Sequence, residues 1–221
     1  KMGASQVVLA RELPKKEIEY IAKKSKAKTE IFVHGAHCMS VSGQCLMSYA
    51  MGGRSGNRGE CAQPCRLPYK ICGKNGYPLS LKDMSLNNHI TEIINSGVDT
   101  LKIEGRMKSS DYVGGTVSVW RNLIDEQRNA TNQEKATLEG LFSRQGFTDG
   151  YFTDSITSKM LGVRSDENKE ATKSIQATVG ELKKVKIKLQ GRFILDKKAE
   201  LTVTCGNKTV TAYGDIVEKA I

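Results

Sequence analysis

The sequence predicts an α/β fold carrying a cysteine-rich loop, followed by a small antiparallel β unit, and three observations predict it. Short β-branched runs alternate with amphipathic helical stretches up to residue 128. A segment without sustained period, residues 36–78, interrupts that order and holds five of the six cysteines. Beyond residue 175 the helical period gives way to strand-like alternation.

Each element follows from its residues. Gln6 to Ala10 is short and β-branched and reads as the first strand. Pro14 stands where a first helical turn starts, and Ile18, Ile21 and Ala22 form an apolar stripe. Lys23, Lys24, Lys26 and Lys28 gather near the end of that helix, where cations complement its dipole. Glu30 to Val33 is the next strand; it ends at His34-Gly35 and opens into the cysteine-rich segment. That segment is rich in glycine, holds three of the four prolines and reads as a long irregular excursion. Order returns at Leu79. Ser85 is placed to cap a helix with Leu86, Ile90, Ile93 and Ile94, Gly97 suits its C′ position, and Val98 to Ile103 reads as a strand. Ser109 or Ser110 caps a further helix with Val113, Val117, Trp120 and Ile124 on one face. Strand–helix order of this kind implies parallel strands, expected at 6–10, 30–34 and 99–103, joined by right-handed crossovers.

Residues 129–174 are expected to be a helical extension and a linker that packs on the first unit. Thr131 and Glu134 make a capping-box pattern before Leu138, Leu141 and Phe142, and this helix stops near Gly146. In the unit at 175–221, Val185, Ile187 and Leu189 alternate, Leu201 and Val203 repeat the habit, and Gly206-Asn207 supplies a turn before Thr209 to Tyr213.

No apolar run approaches the roughly 20 residues of a membrane span, and the first residues lack an apolar signal-type core, so a cytoplasmic protein without membrane contact is expected. The formal net charge is +10. Residues 31–75 hold five Arg or Lys against the single acid Glu60. A basic surface of this kind suits a polyanion such as RNA, and equally a solvated lysine-rich face. With 6% aromatic residues, a stacking platform for bases is not evident.

The densest chemistry lies in Cys38, Cys45, Cys61 and Cys65, separated by six, fifteen and three residues, with Cys72 following. Four thiolates on one glycine-rich loop are the donor set of a zinc site or of an iron–sulfur cluster. A zinc ribbon prefers two close pairs; only Cys61 and Cys65 are close here, which leans toward a [4Fe–4S] cluster. Free or disulfide-linked thiols are the plain alternative. A second set is positional. In a β/α barrel the active site lies past the C-terminal ends of the strands, where Arg11-Glu12, His34 and Glu104 with Arg106 fall. Glu12, His34 and Glu104 have acid–base chemistry, and Arg11 and Arg106 can grip a carboxylate or phosphate. Lys102, just before Glu104, is a further candidate for substrate contact. The plain alternative is ion-paired scaffolding and a structural histidine. Gly52 to Gly59, with Arg54 and Arg58, reads either as a substrate-anion loop or as a tight wrap around the cysteines.

These residues carry a resemblance. Phe32-Val33-His34-Gly35-Ala36-His37-Cys38, Ser42-Gly43-Gln44-Cys45 and the run from Gly53 to Arg66 that contains Cys61-Ala62-Gln63-Pro64-Cys65 resemble the signature region of peptidase family U32. Leu101-Lys102-Ile103-Glu104-Gly105-Arg106-Met107-Lys108-Ser109 resembles a second stretch of that family. The similarity runs from about residue 5 to 160, and the β tail is similar to the appended domain of longer, collagenase-like members. It implies the C-terminal part of a TIM-like β/α barrel whose earlier strands lie upstream of Lys1. The early strands are then expected to show exposed apolar surface, an edge open to dimerisation, and the fragment alone is expected to be inactive.

The resemblance implies two activities, since some members are named collagenases or peptidases and others are iron–sulfur proteins needed for hydroxylating tRNA, ribosomal RNA or ubiquinone precursors. The RNA branch is preferred: a thiolate cluster suits redox chemistry, and no Ser-His-Asp, Cys-His or His-Glu zinc pattern is visible. A peptidase acting on peptide substrates and a binding scaffold with a structural zinc are the alternatives. One position departs from several cluster-binding relatives, which carry a cysteine after the Lys-Asp pair; here Lys82-Asp83-Met84 is followed by Ser85. Cys65 is the expected fourth ligand, with Cys72 in reserve.

Overall fold

The computed structural model describes residues 3–106, 108–166 and 187–218. They fall into two units, one ending before residue 180 and one beginning there. The first unit runs β1 (Gln6–Val8), α1 (Lys15–Lys24), β2 (Lys28–Gly35), α2 (Met47–Gly52), β3 (Tyr69–Ile71), β4 (Lys74–Gly76), β5 (Asp83–Ser85), α3 (Ile90–Asn95), β6 (Thr100–Ile103), α4 (Ser110–Asp125), α5 (Asn132–Leu141) and β7 (Phe147–Thr148).

β2 lies at the centre of the main sheet, and its alternation buries Thr29, Ile31 and Val33 on one face. β1 pairs with it in parallel, Gln6 opposite Lys28, and β6 pairs in parallel along the other edge, Glu30 opposite Thr100. The three expected parallel strands are therefore present. The β2–β6 register shifts between Phe32 and His34, which is a β-bulge. Beyond the end of β1, β5 takes the same edge of β2 in antiparallel sense, His34 opposite Ser85, and β7 continues the sheet in parallel with β5. Among the described residues β1 pairs with β2 alone, and Val8 on it is 47% exposed, in line with the apolar edge expected of the early strands.

The helices cover this sheet with Ile18 of α1, Ile90 and Ile93 of α3, Trp120 and Leu123 of α4, and Leu138 of α5. Three helical expectations need correction. Ser85 caps nothing: it lies in β5, buried, with its hydroxyl 3.1 Å from His34 Nδ1, and α3 begins at Ile90 after His89. Pairing with β2 and β7 outweighs the local capping preference of a serine. On α4 the buried row is Tyr112, Thr116, Trp120 and Leu123, whereas Val113 and Val117 are each 46% exposed. The row turns inward through Tyr112, whose hydroxyl donates to the Glu104 carbonyl oxygen at 3.0 Å. Ser109 does cap α4, accepting from the Tyr112 N–H, and the Thr131–Glu134 capping box of α5 is complete. α5 ends at Leu141, earlier than Gly146. Within the stretch expected to be linker, Phe147–Thr148 is a strand of the main sheet.

The cysteine-rich segment is less irregular than its sequence. It contains α2, 3-10 turns at Gly56–Arg58 and Pro64–Arg66, and the β3–β4 hairpin. The second unit is an antiparallel sheet of β8 (Lys188–Arg192), β9 (Lys198–Cys205) and β10 (Lys208–Ile216), turned at Gly206, whose φ of +57° suits glycine. Thr202–Thr211 and Thr204–Thr209 hydroxyl pairs tie β9 to β10 at 3.1 and 3.2 Å. Leu189 follows the expected alternation in β8 and remains exposed; Val185 lies outside the described residues. No helix among the described residues is long and apolar enough to cross a membrane.

Candidate functional site

The ends of β1, β2 and β6 meet, and the rim residues read from the sequence divide into those that meet there and those that do not. Arg11, just past β1, donates to the Ala36 carbonyl at 3.0 Å and to Glu104 Oε2 at 3.1 Å, with its guanidinium 3.9 Å from the centre of the Phe32 ring. Glu104, just past β6, is tied to β2 by its own N–H, which donates to the His34 carbonyl at 2.8 Å. Gly35 permits this approach. Its φ is +112°, and a Cβ there would overlap the Glu104 carbonyl oxygen. Lys102 turns along the strand to Glu30, 2.7 Å away.

His34 is a core residue. It is 1% exposed, ringed by Phe147, Trp120 and Tyr112, and its Nε2 has no hydrogen-bond partner. Burial pushes its pKa down to about 3, so the ring is neutral at physiological pH. Glu12 points instead to the cysteine loop, accepting from the Ser42 N–H and hydroxyl, each at 2.8 Å. Partial burial pushes its carboxyl up, and the hydrogen bonds from Ser42 outweigh that, leaving it below the usual range.

The cysteine loop is braced from several directions. Arg106 donates to the Gly59 carbonyl, Asn57 to the Gly43 carbonyl at 2.8 Å, Arg54 Nε to the Glu60 carbonyl at 2.8 Å, and the Ala62 N–H to Ser48 Oγ at 2.9 Å. Arg54 is thus partly spent on the wrap around the loop, while Arg58 is exposed. All six cysteines are free thiols. Burial pushes the Cys65 thiol up; the charge of Arg66 opposes this, and Cys38, Cys61 and Cys45 each add to it, so the four loop thiols share one electrostatic neighbourhood. They do not reach ligand geometry: among the described residues no three His, Cys, Asp or Glu side chains are arranged to hold a metal ion. The donor set nonetheless fits a soft metal or an iron–sulfur cluster, being four unpaired thiols on one braced loop. Ser85, in the departing position, faces His34 in the core.

Several residues escaped the sequence reading. His37 is 3% exposed with neither ring nitrogen partnered, packed edge-on against Tyr151 at 4.9 Å. Arg66 donates to Ser80 Oγ at 3.2 Å, to the Leu81 carbonyl and to the His37 carbonyl at 2.5 Å, joining the turn that carries Cys65 to the chain just past β2 and just before β5. Arg144 and Asp83 form a buried ion pair at 2.5 Å, 10% and 1% exposed. Arg66 stood beside Cys65 in the quoted run and could have been suspected from that adjacency; the Arg144–Asp83 pair spans 61 positions and leaves no local signal. The third histidine, His89, bridges Glu92 at 2.9 Å and Asp149 at 2.7 Å.

The chain is 38% identical over 161 residues to a 23S rRNA 5-hydroxycytidine synthase of Escherichia coli, covering 70% of this chain and 24% of the relative. It is 41% identical over 136 residues to tRNA hydroxylation protein P1 of Bacillus subtilis, covering 56% and 32%. It is 35% identical over 175 residues to a collagenase of Porphyromonas gingivalis, covering 67% and 42%. The chain thus spans less than half the length of these curated relatives. No solved structure matches significantly. Residues 1–161, which hold the paired strand ends and the whole cysteine loop, match the family described as Peptidase family U32, and the chain belongs to that family.

Proposed function

We propose that this chain is part of an iron–sulfur enzyme of the cytoplasm acting in hydroxylation of tRNA or rRNA, with its parallel strands contributing to a TIM-like β/α barrel. The observation that carries this reading is the set of four unpaired thiols on one loop braced against the strand ends of Arg11, Glu104 and Arg106. Cys38, Cys45, Cys61 and Cys65 would hold a [4Fe–4S] cluster, which supplies one-electron redox chemistry when bound. Around it, Arg11 is held by Glu104 and the Phe32 ring, so its guanidinium is fixed in orientation. Glu12, ionised at neutral pH, orders Ser42 between Cys38 and Cys45. Exposed Arg58 and Arg54 stand on the same loop, suited to phosphate contacts of an RNA strand. The names of the Escherichia coli and Bacillus subtilis relatives support the substrate class.

A peptidase reading has the Porphyromonas gingivalis collagenase in its favour. Its chemistry finds less support, because among the described residues His34 meets Ser85 inside the core with no acid on its other nitrogen, and neither ring nitrogen of His37 has a hydrogen-bond partner. The test is nucleoside mass spectrometry of RNA from a bacterial host lacking its own tRNA and rRNA hydroxylation proteins. The full-length protein containing this chain should restore hydroxylated nucleosides, and Cys61→Ser should abolish them. Cleavage of gelatin with no change in RNA would contradict the reading.

A further inference from the structure

His89, at the start of α3, is held from both sides. Its Nδ1 lies 2.9 Å from Glu92 Oε1 and its Nε2 lies 2.7 Å from Asp149 Oδ2. An ionised carboxylate only accepts, so both ring nitrogens donate and the ring is an imidazolium. Glu92 is kept ionised first by Lys15, whose Nζ lies 2.6 Å from its other oxygen, and then by His89. The charged groups that face His89 are therefore Glu92 of α3, Asp149 just past β7 and, across Glu92, Lys15 and Glu19 of α1, which are 3.9 Å apart. Burial pushes the His89 pKa down, and the hydrogen bonds to Asp149 and then to Glu92 outweigh it, leaving it above the ordinary 6.5.

Asp149 opens the turn that carries Tyr151 and Phe152. The Phe152 ring lies 5.1 Å from the His89 ring, and the Phe152 carbonyl accepts from the Lys15 N–H at 2.9 Å, so the turn is pinned to α1 and α3 together. Between Asp149 and Phe152, Tyr151 packs edge-on against buried His37 at 4.9 Å. Burial, then the charges of Glu12 and Cys38, push the Tyr151 hydroxyl up, which puts this ring in the electrostatic neighbourhood of the first loop cysteine. We propose that His89 is a positioning residue of the cysteine-loop site: as an imidazolium clasped by Glu92 and Asp149, it fixes the turn at 149–152 and so seats the Tyr151 ring against His37, next to Cys38. This role rests on the cysteine loop being the working site, as proposed above, whereas the clasp itself does not. The contribution of the clasp is full below pH 6.5 and is lost as pH rises through the higher folded-state value, because a neutral ring donates through one nitrogen only.

The experiment follows the isotope-labelled chain by NMR from about pH 5 to about pH 9, with neither cluster nor RNA present. Ring-nitrogen shifts of His89 report its protonation, and the contact between the Tyr151 and His37 rings is read as a nuclear Overhauser effect. At neutral pH both His89 nitrogens should carry a proton, the midpoint should lie above 6.5, and the Tyr151–His37 effect should fade with that same midpoint. Asp149→Asn should lower the midpoint by about one unit or more, roughly tenfold in proton affinity, and Asp149→Glu should recover part of it. In His89→Gln the Tyr151–His37 effect should stop depending on pH over this range, with thermal melting as the check that each variant folds. A single neutral tautomer of His89 at neutral pH, or a Tyr151–His37 contact that ignores the His89 midpoint, overturns the proposal, and the wild-type chain alone decides both. Either of those results would leave the iron–sulfur reading intact, and a chain without iron would leave the clasp intact.

Discussion

Gly35 is the position at which one missing carbon atom decides the site. Its φ of +112° is expensive for any L side chain, and a Cβ would push Glu104 away from β2, breaking the contact that brings Arg11 and Glu104 together. Gly35→Ala should therefore cost on the order of 1–3 kcal/mol from backbone strain, with the overlap added. A denaturation midpoint equal to that of the wild type would contradict this. Lys108 offers a second test. Burial holds its pKa down to about 7, against an ordinary value of 10.5; Asp83 opposes the shift, and Arg144, Arg164 and Arg66 add to it. Between those values the unfolded chain binds more protons than the folded one, so Lys108 makes stability rise with pH. Lys108→Met keeps the cover over Phe142 and removes the titration. Its melting temperature should lose that upward slope above neutral pH, whereas a slope identical to the wild type would show that Lys108 is not buried as described. Neither role can be seen locally: Gly35 belongs to a legible motif, but its clash partner lies across the sheet, and the neighbours of Lys108 come from four separate stretches of chain.

At the scale of elements, the starts of α4 and α5 were legible because capping is chemistry between near neighbours. The Thr131 hydroxyl accepts from the Glu134 N–H while the Glu134 carboxylate accepts from the Thr131 N–H at 2.8 Å, and Arg128 holds the same carboxylate at 2.7 and 2.9 Å. Arg128 first, and Thr131 after it, push the Glu134 pKa down to about 2 despite partial burial. Thr131→Ala should cost ~1 kcal/mol, read as a lower urea midpoint at unchanged m-value. An unshifted midpoint would mean that tertiary packing of Leu138 alone sustains α5. Faces and short strands were less legible. Val113 and Val117 satisfy a helical period as well as Tyr112 and Thr116 do, and it is tertiary contact, the bond from Tyr112 to Glu104 and its packing against Leu141 and Phe142, that selects between them. Ser85 looked like a cap because its partners, His34 and the β7 strand, are 51 or more positions away.

Across the first unit, the three strands that the sequence marks by β-branched runs, β1, β2 and β6, pair in parallel, and their C-terminal ends gather the segment that holds five of the six cysteines. The part of the chain that matches the family ends at residue 161, so the antiparallel sheet of β8, β9 and β10 stands outside the match. Arg11, Glu104 and Arg106 were found by position and do converge on the strand ends and loop; His34, found the same way, is buried, because the bulge after Phe32 leaves its ring among Phe147, Trp120 and Tyr112. The central claim is that the four thiols act together on one cluster, and iron and acid-labile sulfide analysis of the anaerobically purified chain tests it most directly. About four irons and four sulfides per chain are expected, lost in Cys38→Ser, Cys45→Ser, Cys61→Ser and Cys65→Ser and retained in Cys72→Ser and Cys205→Ser. A chain that carries zinc alone, or whose iron survives every one of those four substitutions, would contradict it.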